Sequence, residues 1–397
     1  MRSKVVFSKA DDYTLPKYGR ALGIYPYYRE LISAQDTEVA LPNGNKVIML
    51  GSNCYLGLTT HPKVKEAAIE AIKKYGTGCS GSRLLNGTLD LHIKLEKELA
   101  DFLGKEECIM YSTGFLANLG VMPAMMRRKD YIIMDELNHA SLYEGSKLAL
   151  CEVVRFNHND MDDLEAKLKG LPEEAGKMIV VDGVYSMEGD IANLPKIVEL
   201  STKYSSVLLV DDAHGVGVLG KDGRGTCDHF GLTKKADFIM GTFSKSFASI
   251  GGYIASDHRT IDFLKHHSRS LIFSASLPPA STAAAQAALS IMKSEPERRE
   301  RLWHNTKLIK EGLNSLGFKT GISTTPIIPV YLSEMEKVVR FTRKLLDNGV
   351  FVNPVLPPAV PPNHCILRVS LMATHTDDQI ERALAAFKRI GTKMGFI

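Results

Sequence analysis

The chain has 397 residues, of which 44% are hydrophobic and 24% are charged, and its formal net charge at pH 7 is +4. This length exceeds one ordinary hydrophobic core, so we expect a large domain with a smaller one. The small charge excludes a strongly basic nucleic-acid-binding protein. The six scattered cysteines form no CxxC pair, which argues against a disulfide framework or a zinc site and indicates a reduced, cytoplasmic setting.

Two uncharged runs, 108–126 and 270–292, are long enough to span a membrane. Glycine, proline and polar side chains interrupt both runs, so neither has the composition of a membrane helix. Residues 1–12 alternate charged and apolar side chains and lack the apolar core of a signal peptide. We therefore expect a soluble protein.

Short β-rich runs alternate with longer amphipathic stretches between residues 47 and 290. The predicted strands are 46–51, 107–112, 131–135, 177–181, 206–211 and 236–240. The predicted helices between them include 64–75, 92–103 and 194–204. This alternation predicts an α/β fold in which helices cover both faces of a mainly parallel sheet.

The pattern changes at residue 278, where a long helical region begins that ends near residue 316. Predicted strands follow at 325–332, 351–355 and 365–371, with helices at 337–348 and after Thr376, whose sequence Thr-Asp-Asp-Gln is a capping box. We predict three parts of the chain, an N-terminal segment 1–50, a large domain 51–285 and an α+β C-terminal domain 286–397.

Ligands of parallel α/β folds bind at the carboxyl ends of the strands. Polar residues follow five of the predicted strands, namely Ser112 with Thr113 and Gly114, then His139, Ser186, Asp211 with His214, and Lys245. Because these strand ends share one edge of the sheet, we expect the side chains to converge on one ligand.

Lys245 lies in a stretch, 240–252, that is almost free of other charges. A lysine flanked by serines is usually a solvated surface residue, but a buried amine must lower its pKa or react, as it does in a Schiff base with an aldehyde. An acid such as Asp211 would keep a pyridine nitrogen protonated, and His214 could donate to a phenolic oxygen. These residue types together indicate a pyridoxal-phosphate enzyme.

Each partner residue also has a plainer interpretation. Asp211 with Asp212 could cap a helix or bind magnesium, and His139 could be a core histidine rather than a ring stacked on the cofactor. Ser112-Thr113-Gly114-Phe115 precedes a predicted helix and would suit a phosphate group, although many strand–helix turns have similar residues.

Two GxGxxG matches, at 76–81 and 215–220, raise the alternative of a nicotinamide-dependent oxidoreductase. The first follows a predicted helix, and the second leads into a loop, so neither has the strand–turn–helix context of a dinucleotide site. We regard this alternative as the weaker one.

The chain resembles the α-oxoamine synthases, pyridoxal-phosphate enzymes of the aspartate-aminotransferase fold. The resemblance extends from about residue 23 to the C-terminus, and it rests on segments 51–58, 112–115, 138–141, 184–190, 211–215 and 242–245. It implies a large domain with a mainly parallel sheet of the seven-stranded type, a smaller α+β C-terminal domain, and a homodimer with active sites at the subunit interface. The implied reaction is a decarboxylating Claisen condensation of an amino acid with an acyl-CoA.

The resemblance also implies roles for individual residues. Lys245 would form the Schiff base, His139 would stack on the ring, Asp211 would pair with the pyridine nitrogen and His214 with the phenolic oxygen. The implied cofactor site also includes Ser112, Thr113, Gly114, Phe115, Ser186, Thr242, Ser244 and, reaching from the neighbouring subunit, Ser274. Asn53 would line the substrate side, and Arg368 would hold the substrate carboxylate.

Segments 81–88 and 351–354 most resemble the soluble bacterial branch that joins L-serine to palmitoyl-CoA, giving 3-ketodihydrosphingosine, CoA and carbon dioxide. Glycine C-acetyltransferase and 8-amino-7-oxononanoate synthase are the alternatives within the family. An inactive scaffold subunit is a further alternative, but such a subunit would lack the lysine that is present here as Lys245. Many members carry an arginine where this chain has Leu356. The long acyl chain of such a substrate also suggests peripheral contact with a membrane.

Overall fold

The computed structural model describes residues 4–357, 359–361 and 363–397. Over these residues the chain forms strands β1 (Glu38–Ala40), β2 (Lys46–Met49), β3 (Glu107–Tyr111), β4 (Tyr131–Asp135), β5 (Glu152–Phe156), β6 (Lys177–Asp182), β7 (Val207–Asp211), β8 (Phe238–Thr242), β9 (Gly252–Ser256), β10 (Ile327–Ser333), β11 (Val350–Phe351), β12 (Asn353–Val355) and β13 (Cys365–Ser370).

A short 3₁₀ helix, Val5–Phe7, precedes the α-helices. These are α1 (Ser8–Asp11), α2 (Leu15–Ala21), α3 (Pro62–Tyr75), α4 (Asp90–Leu103), α5 (Gly114–Met125), α6 (Ala140–Leu148), α7 (Met161–Lys169), α8 (Leu194–Lys203), α9 (Thr226–His229), α10 (His258–His267), α11 (Arg269–Ile272), α12 (Pro279–Ser294), α13 (Glu297–Ser315), α14 (Met335–Asp347) and α15 (Asp377–Met394). None of these helices is long and apolar enough to cross a membrane.

The large sheet has seven strands in the order β3-β9-β8-β7-β6-β4-β5. The pairs from β8 to β5 are all parallel, whereas β9 is antiparallel to both of its neighbours. Helices α5, α6 and α10 cover one face of the sheet, and α7 and α8 cover the other. The predicted α/β fold with a mainly parallel seven-stranded sheet is therefore confirmed.

Alternate residues of the central strands face opposite layers of helices. Met178 and Val180 of β6 pack with α5 and α6, whereas Ile179 and Val181 pack with α7 and α8. A strand that is buried on both faces must be apolar throughout. This is why the central strands are continuous apolar runs that end in polar residues.

The strand ends meet at one edge of the sheet. Strands β4, β6, β7 and β8 run in the same direction and end at Asp135, Asp182, Asp211 and Thr242. The antiparallel strand β9 lies between β8 and β3, so β3 again runs in the common direction and its end leads into α5 at the same edge.

Two small three-stranded sheets lie outside the large one, in the orders β1-β2-β11 and β10-β13-β12. The predicted strand 351–355 is in fact two strands, because β11 pairs with β2 whereas β12 pairs with β13. The predicted helical region 278–316 is likewise two helices, α12 and α13, with Pro296 between them. The smaller C-terminal domain and the capping box at Thr376 are confirmed.

The predicted domain boundaries after residues 50 and 285 stay predictions. The pairing of β2 with β11 joins the N-terminal segment to the C-terminal part of the chain. The backbone of Leu50 also accepts a hydrogen bond from the Ser370 amide at 2.8 Å.

Candidate active site

A cavity of about 280 Å³ opens at the carboxyl edge of the large sheet. Its lining residues are Thr113, Gly114, Phe115, His139, Ser141, Asp182, Val184, Ser186, Asp211, Ala213, His214, Met240, Thr242, Ser244, Lys245, Ile250 and Gly251. Ten of the residues expected in the site are in this set, so the structure brings together most of the predicted cofactor-binding and catalytic side chains.

The Lys245 amine faces this cavity from the turn that follows β8. Burial is the main cause that lowers its pKa to about 8; the positive charge of Arg368 acts in the same direction, while the carboxylates of Asp211 and Asp182 oppose the shift. About a tenth of this amine is therefore unprotonated at pH 7, and the unprotonated amine is the form that attacks an aldehyde.

Asp211 ends β7 and is held by two hydrogen bonds. Asn118 Nδ2 donates to its Oδ2 at 2.7 Å, and the Ala213 amide donates to its Oδ1 at 3.1 Å. Asp182 lies beside it on β6, in register with it. Burial and the nearby charge of Asp211 raise the pKa of Asp182 well above its ordinary value, and the hydrogen bond from the His139 amide opposes this shift.

His139 occupies the N-cap position of α6, and its backbone amide donates to Asp182 Oδ2 at 2.9 Å. Its Nδ1 lies 2.7 Å from Ser141 Oγ, and this contact fixes the orientation of the ring. Burial lowers the pKa of His139, as does the charge of Lys245, although Asp211 opposes this shift. The ring is accordingly neutral at neutral pH, which suits a flat group that stacks on a ligand.

His214 follows β7 and is buried. Its Nδ1 lies 2.7 Å from the hydroxyl of Tyr55, a fully buried residue whose pKa is raised by burial. Burial and the charges of Lys245 and Arg368 hold the pKa of His214 well below its ordinary value. A neutral imidazole anchored at Nδ1 can present Nε2 to a ligand.

The start of α5 forms one corner of the cavity. Thr113 Oγ1 accepts a hydrogen bond from the Leu116 amide at 3.1 Å and caps the helix. Across the corner, Thr242 Oγ1 lies 2.8 Å from Ser244 Oγ. Free amides at a helix N-terminus, a positive dipole end and two hydroxyl groups suit a phosphate group.

Gly114 permits the close packing at this corner. A Cβ atom on Gly114 would lie 2.9 Å from Thr242 Cβ, and one on Gly252 would lie 2.4 Å from Gly114 Cα. Side chains at either position would separate the start of α5 from β8 and β9. The glycine therefore brings the backbone amides to the position where they can reach a ligand.

Arg368 is buried on β13 but does not line the cavity. Its Nε donates to the Ser186 carbonyl at 2.6 Å, and its Nη1 donates to Ser370 Oγ at 2.6 Å. Asn53 is also outside the lining, and its Oδ1 is buried without a hydrogen-bond partner among the described residues. A buried acceptor of this kind normally has a partner, which is consistent with a ligand on this side.

Ser112 and Ser274 do not line the cavity. Ser112 Oγ donates to the Ala275 carbonyl at 2.5 Å, so the backbone after Ser274 lies beside the end of β3. Ser274 itself is half-buried. The expected roles of these two serines stay predictions.

Four residues in this network were not expected from the sequence, namely Tyr55, Asn118, Ser141 and Asp182. Asn118 is fully buried, and its Nδ2 contacts both Asp211 and Ser141 Oγ. A polar side chain within the uncharged run 108–126 was the available signal for Asn118, because a buried amide requires partners. Neighbouring sequence gave no signal for Tyr55, which lies 159 residues from His214.

The functional groups that line and surround the cavity fit pyridoxal phosphate. A partly unprotonated lysine amine is present for the aldehyde, a carboxylate for a protonated ring nitrogen, a neutral imidazole for the ring face and a capped helix terminus for the phosphate. In the described part of the chain, no cluster of three or more histidine, cysteine or acidic side chains could hold a metal ion.

The chain matches the aminotransferase class I and II family over residues 45–387. It is 53% identical to the serine palmitoyltransferase of Sphingobacterium spiritivorum, a match that covers 94% of this chain and 93% of that protein. It is 44% identical to the 8-amino-7-oxononanoate synthase of Alkaliphilus metalliredigens, over 94% of this chain and 95% of that protein.

The fold is also that of a solved serine palmitoyltransferase with pyridoxal phosphate as internal aldimine. The TM-score is 0.97 at 38% sequence identity, and the match covers 99% of this chain and 100% of the other. The chain belongs to the aminotransferase class I and II family, and the resemblance on which the expected fold and cofactor depended is confirmed.

Proposed function

We propose that this family member is a pyridoxal-phosphate-dependent acyltransferase that condenses L-serine with palmitoyl-CoA. The C–C bond forms between serine Cα and the thioester carbonyl carbon, the C–S bond breaks to release CoA, and the bond from Cα to the carboxylate breaks to release carbon dioxide, after which Cα takes up a proton. The product is 3-ketodihydrosphingosine. The observation that carries the proposal is the convergence of Lys245, Asp211, His139 and the α5 terminus in one cavity.

When bound, pyridoxal phosphate supplies an aldehyde for amines and a ring that withdraws electrons from the amino acid. Lys245 Nζ accepts the α-proton of L-serine, because an amine with a pKa of about 8 is a competent base near neutral pH. Asp211, fixed by Asn118, would accept a hydrogen bond from the protonated ring nitrogen. His139 would stack on the ring, and His214 would donate to the phenolic oxygen.

Arg368 binds the serine carboxylate. A guanidinium forms paired, charge-assisted hydrogen bonds with a carboxylate, and the Ser186 carbonyl and Ser370 hydroxyl already fix its plane. Ser186 also lines the cavity, so Arg368 and the cavity are adjacent. Asn53, with its unpartnered Oδ1, would accept a hydrogen bond from the amino acid.

A homodimer with the active site at the subunit interface is part of the proposal. Phe115 and Ile250 line the cavity with side chains that are 42% and 50% exposed, and Phe273, beside Ser274, is 74% exposed. Exposed apolar residues grouped at a site opening favour a covering protein surface. Ser274 would then reach the phosphate of the neighbouring subunit. A cytoplasmic location, expected from the scattered cysteines, likewise stays a proposal.

The test is CoA release by the purified protein supplied with pyridoxal phosphate. We expect release from palmitoyl-CoA with L-serine, and much less with glycine or with a short or dicarboxylic acyl-CoA. Lys245→Ala should abolish release, whereas Lys234→Ala, a matched change at another lysine, should not affect it. Release with glycine, or only with a dicarboxylic acyl-CoA, would instead identify glycine C-acetyltransferase or 8-amino-7-oxononanoate synthase activity.

A further inference from the structure

A second cavity, the N-terminal pocket, lies between the N-terminal segment and α14 and has a volume of about 680 Å³. Its lining includes Tyr18, Gly19 and Leu22 of the N-terminal segment, Val339 of α14, and Leu356. Apart from tyrosine hydroxyl groups and one glutamate, the lining is apolar. Its volume is within the roughly 300–1,000 Å³ range of small-molecule sites.

The catalytic cavity is too small and too polar for a long acyl chain. Its volume of about 280 Å³ must already hold the cofactor and the amino acid, and its lining carries acidic, basic and hydroxyl side chains. An acyl chain that leaves water gains free energy only where it meets apolar surface. The acyl chain of the thioester must therefore extend from the catalytic cavity to another apolar surface.

Strand β12 leads from a neighbour of the catalytic cavity, Arg368, to the N-terminal pocket. Leu356, in the wall of the N-terminal pocket, directly follows this strand, and three residues earlier Asn353 pairs with Arg368. Three residues of strand correspond to roughly 10 Å. Two acyl chains of palmitoyl length, placed end to end, fill the ~30 Å hydrocarbon core of a bilayer, so one such chain spans roughly 15 Å. A palmitoyl chain is therefore long enough to bridge this separation.

Apolar side chains pack along β12. Met187, next to the cavity residue Ser186, packs against Val355 and Ile366, and Leu356 belongs to the main core of the C-terminal part of the chain. An acyl chain that follows β12 from Ser186 to Leu356 would therefore meet the apolar side chains of Met187, Val355 and Ile366.

We propose that the N-terminal pocket binds the distal part of the long acyl chain of the thioester substrate. This inference rests on the proposed acyl-CoA-dependent function and adds to it the site that selects chain length. The N-terminal segment is then part of the substrate site, and α2 forms the outer wall of the pocket.

Gly19 allows this proposal to be tested with a small perturbation. A Cβ atom on Gly19 would lie 3.7 Å from the nearest atoms of Tyr25, an ordinary van der Waals distance, so a larger side chain can begin there without a clash. Gly19→Phe should fill the pocket. Gly19→Ala controls for the loss of glycine, and Lys17→Phe places the same ring on the same helix at an exposed residue outside the lining.

The measurement is the ratio of kcat/KM for palmitoyl-CoA to that for octanoyl-CoA. Each methylene that the pocket buries strengthens binding about fourfold, so displacing two methylenes should lower the ratio more than tenfold. We expect that decrease in Gly19→Phe and a change of less than about twofold in the two controls. An unchanged ratio in a folded Gly19→Phe variant would overturn the proposal.

Calorimetric titration of palmitoyl-CoA and octanoyl-CoA into the protein, without an amino acid, tests the pocket separately from the proposed enzymatic function. If no amino acid supports CoA release, the proposed function fails, whereas the ratio of the two dissociation constants still tests the pocket. The pocket could instead be covered by a second copy of the chain, and light scattering measures this as a change in molecular mass. A change of mass in Gly19→Phe with an unchanged binding ratio would show that the pocket is a subunit interface and would overturn the acyl-chain proposal.

Discussion

The reactivity of Lys245 toward pyridoxal phosphate should follow the lowered pKa of its amine. Only the unprotonated amine attacks an aldehyde, and burial lowers the pKa from 10.5 to about 8. With a pKa of about 8, the unprotonated fraction rises from about 9% at pH 7 to about 91% at pH 9, roughly tenfold, and then levels off. An amine with the ordinary pKa would gain roughly 100-fold over the same interval and continue to rise.

The assay is the rate at which the protein, stripped of cofactor, develops Schiff-base absorbance when pyridoxal phosphate is added between pH 6.5 and 10. Dividing by the rate constant of Nα-acetyl-lysine per unprotonated amine removes the titration of pyridoxal phosphate itself. Arg368→Met removes a positive charge that lowers the pKa of Lys245, so its plateau should move to higher pH and its rate at pH 7 should decrease. Arg368→Lys retains the charge and serves as the matched control.

Two results would refute this account of the site. A rate that increases roughly 100-fold from pH 7 to pH 9 without a plateau would show that the amine is solvated. A pH profile with a midpoint near 8 that persists in Lys245→Ala would show that another amine reacts.

Three further predictions concern the surroundings of the site. Arg368→Gln should raise KM for L-serine about 10- to 100-fold with cofactor absorbance retained; an unchanged KM in steady-state kinetics would exclude Arg368 as the carboxylate ligand. Gly114→Ala should weaken cofactor binding at least about tenfold, because the new Cβ would lie 2.9 Å from Thr242. Gly170→Ala, whose Cβ would lie 3.5 Å from the nearest atom, should leave cofactor binding unchanged. Equal dissociation constants for pyridoxal phosphate in the two variants, measured by equilibrium dialysis, would contradict this prediction. His158, which bridges two buried carboxylates at 3.0 Å each, has a pKa raised to about 10 by hydrogen bonds to them that outweigh its burial. The contribution of this bridge to the free energy of unfolding is thus complete below pH 6.5 and is lost as pH rises toward 10. In urea unfolding at pH 6.5, His158→Gln should lower the free energy of unfolding by about 3 kcal/mol, and it should flatten the dependence of that free energy on pH. The same pH dependence in His158→Gln and in the unchanged protein would refute the prediction.

Much of the candidate site could be predicted because buried parallel strands leave a simple record in the sequence. Each strand must be apolar on both faces, so the first polar residue marks its end. Asp211 and Lys245 were found by this rule, and both line the cavity. The rule works without long-range information because it depends only on the residues of one strand and the turn after it.

The strand β9 shows where this local reasoning stops. Its sequence, Gly-Tyr-Ile-Ala-Ser, is short and follows a glycine pair, and it was not predicted as a strand. In the fold it lies between β3 and β8 and is antiparallel to both. That position returns β3 to the common direction and brings the start of α5 to the edge where Lys245 lies.

The sequence by itself determined the class of fold, the residues at the strand ends and the chemistry that they can perform, because these follow from local apolar patterning and residue type. Only the tertiary structure decided which strands are neighbours, that Asn118 holds Asp211 and Tyr55 holds His214, and that the N-terminal segment encloses an apolar pocket beside Leu356. These contacts join residues far apart in the chain. Their pairing is set by the packing of the whole molecule, which no local pattern records.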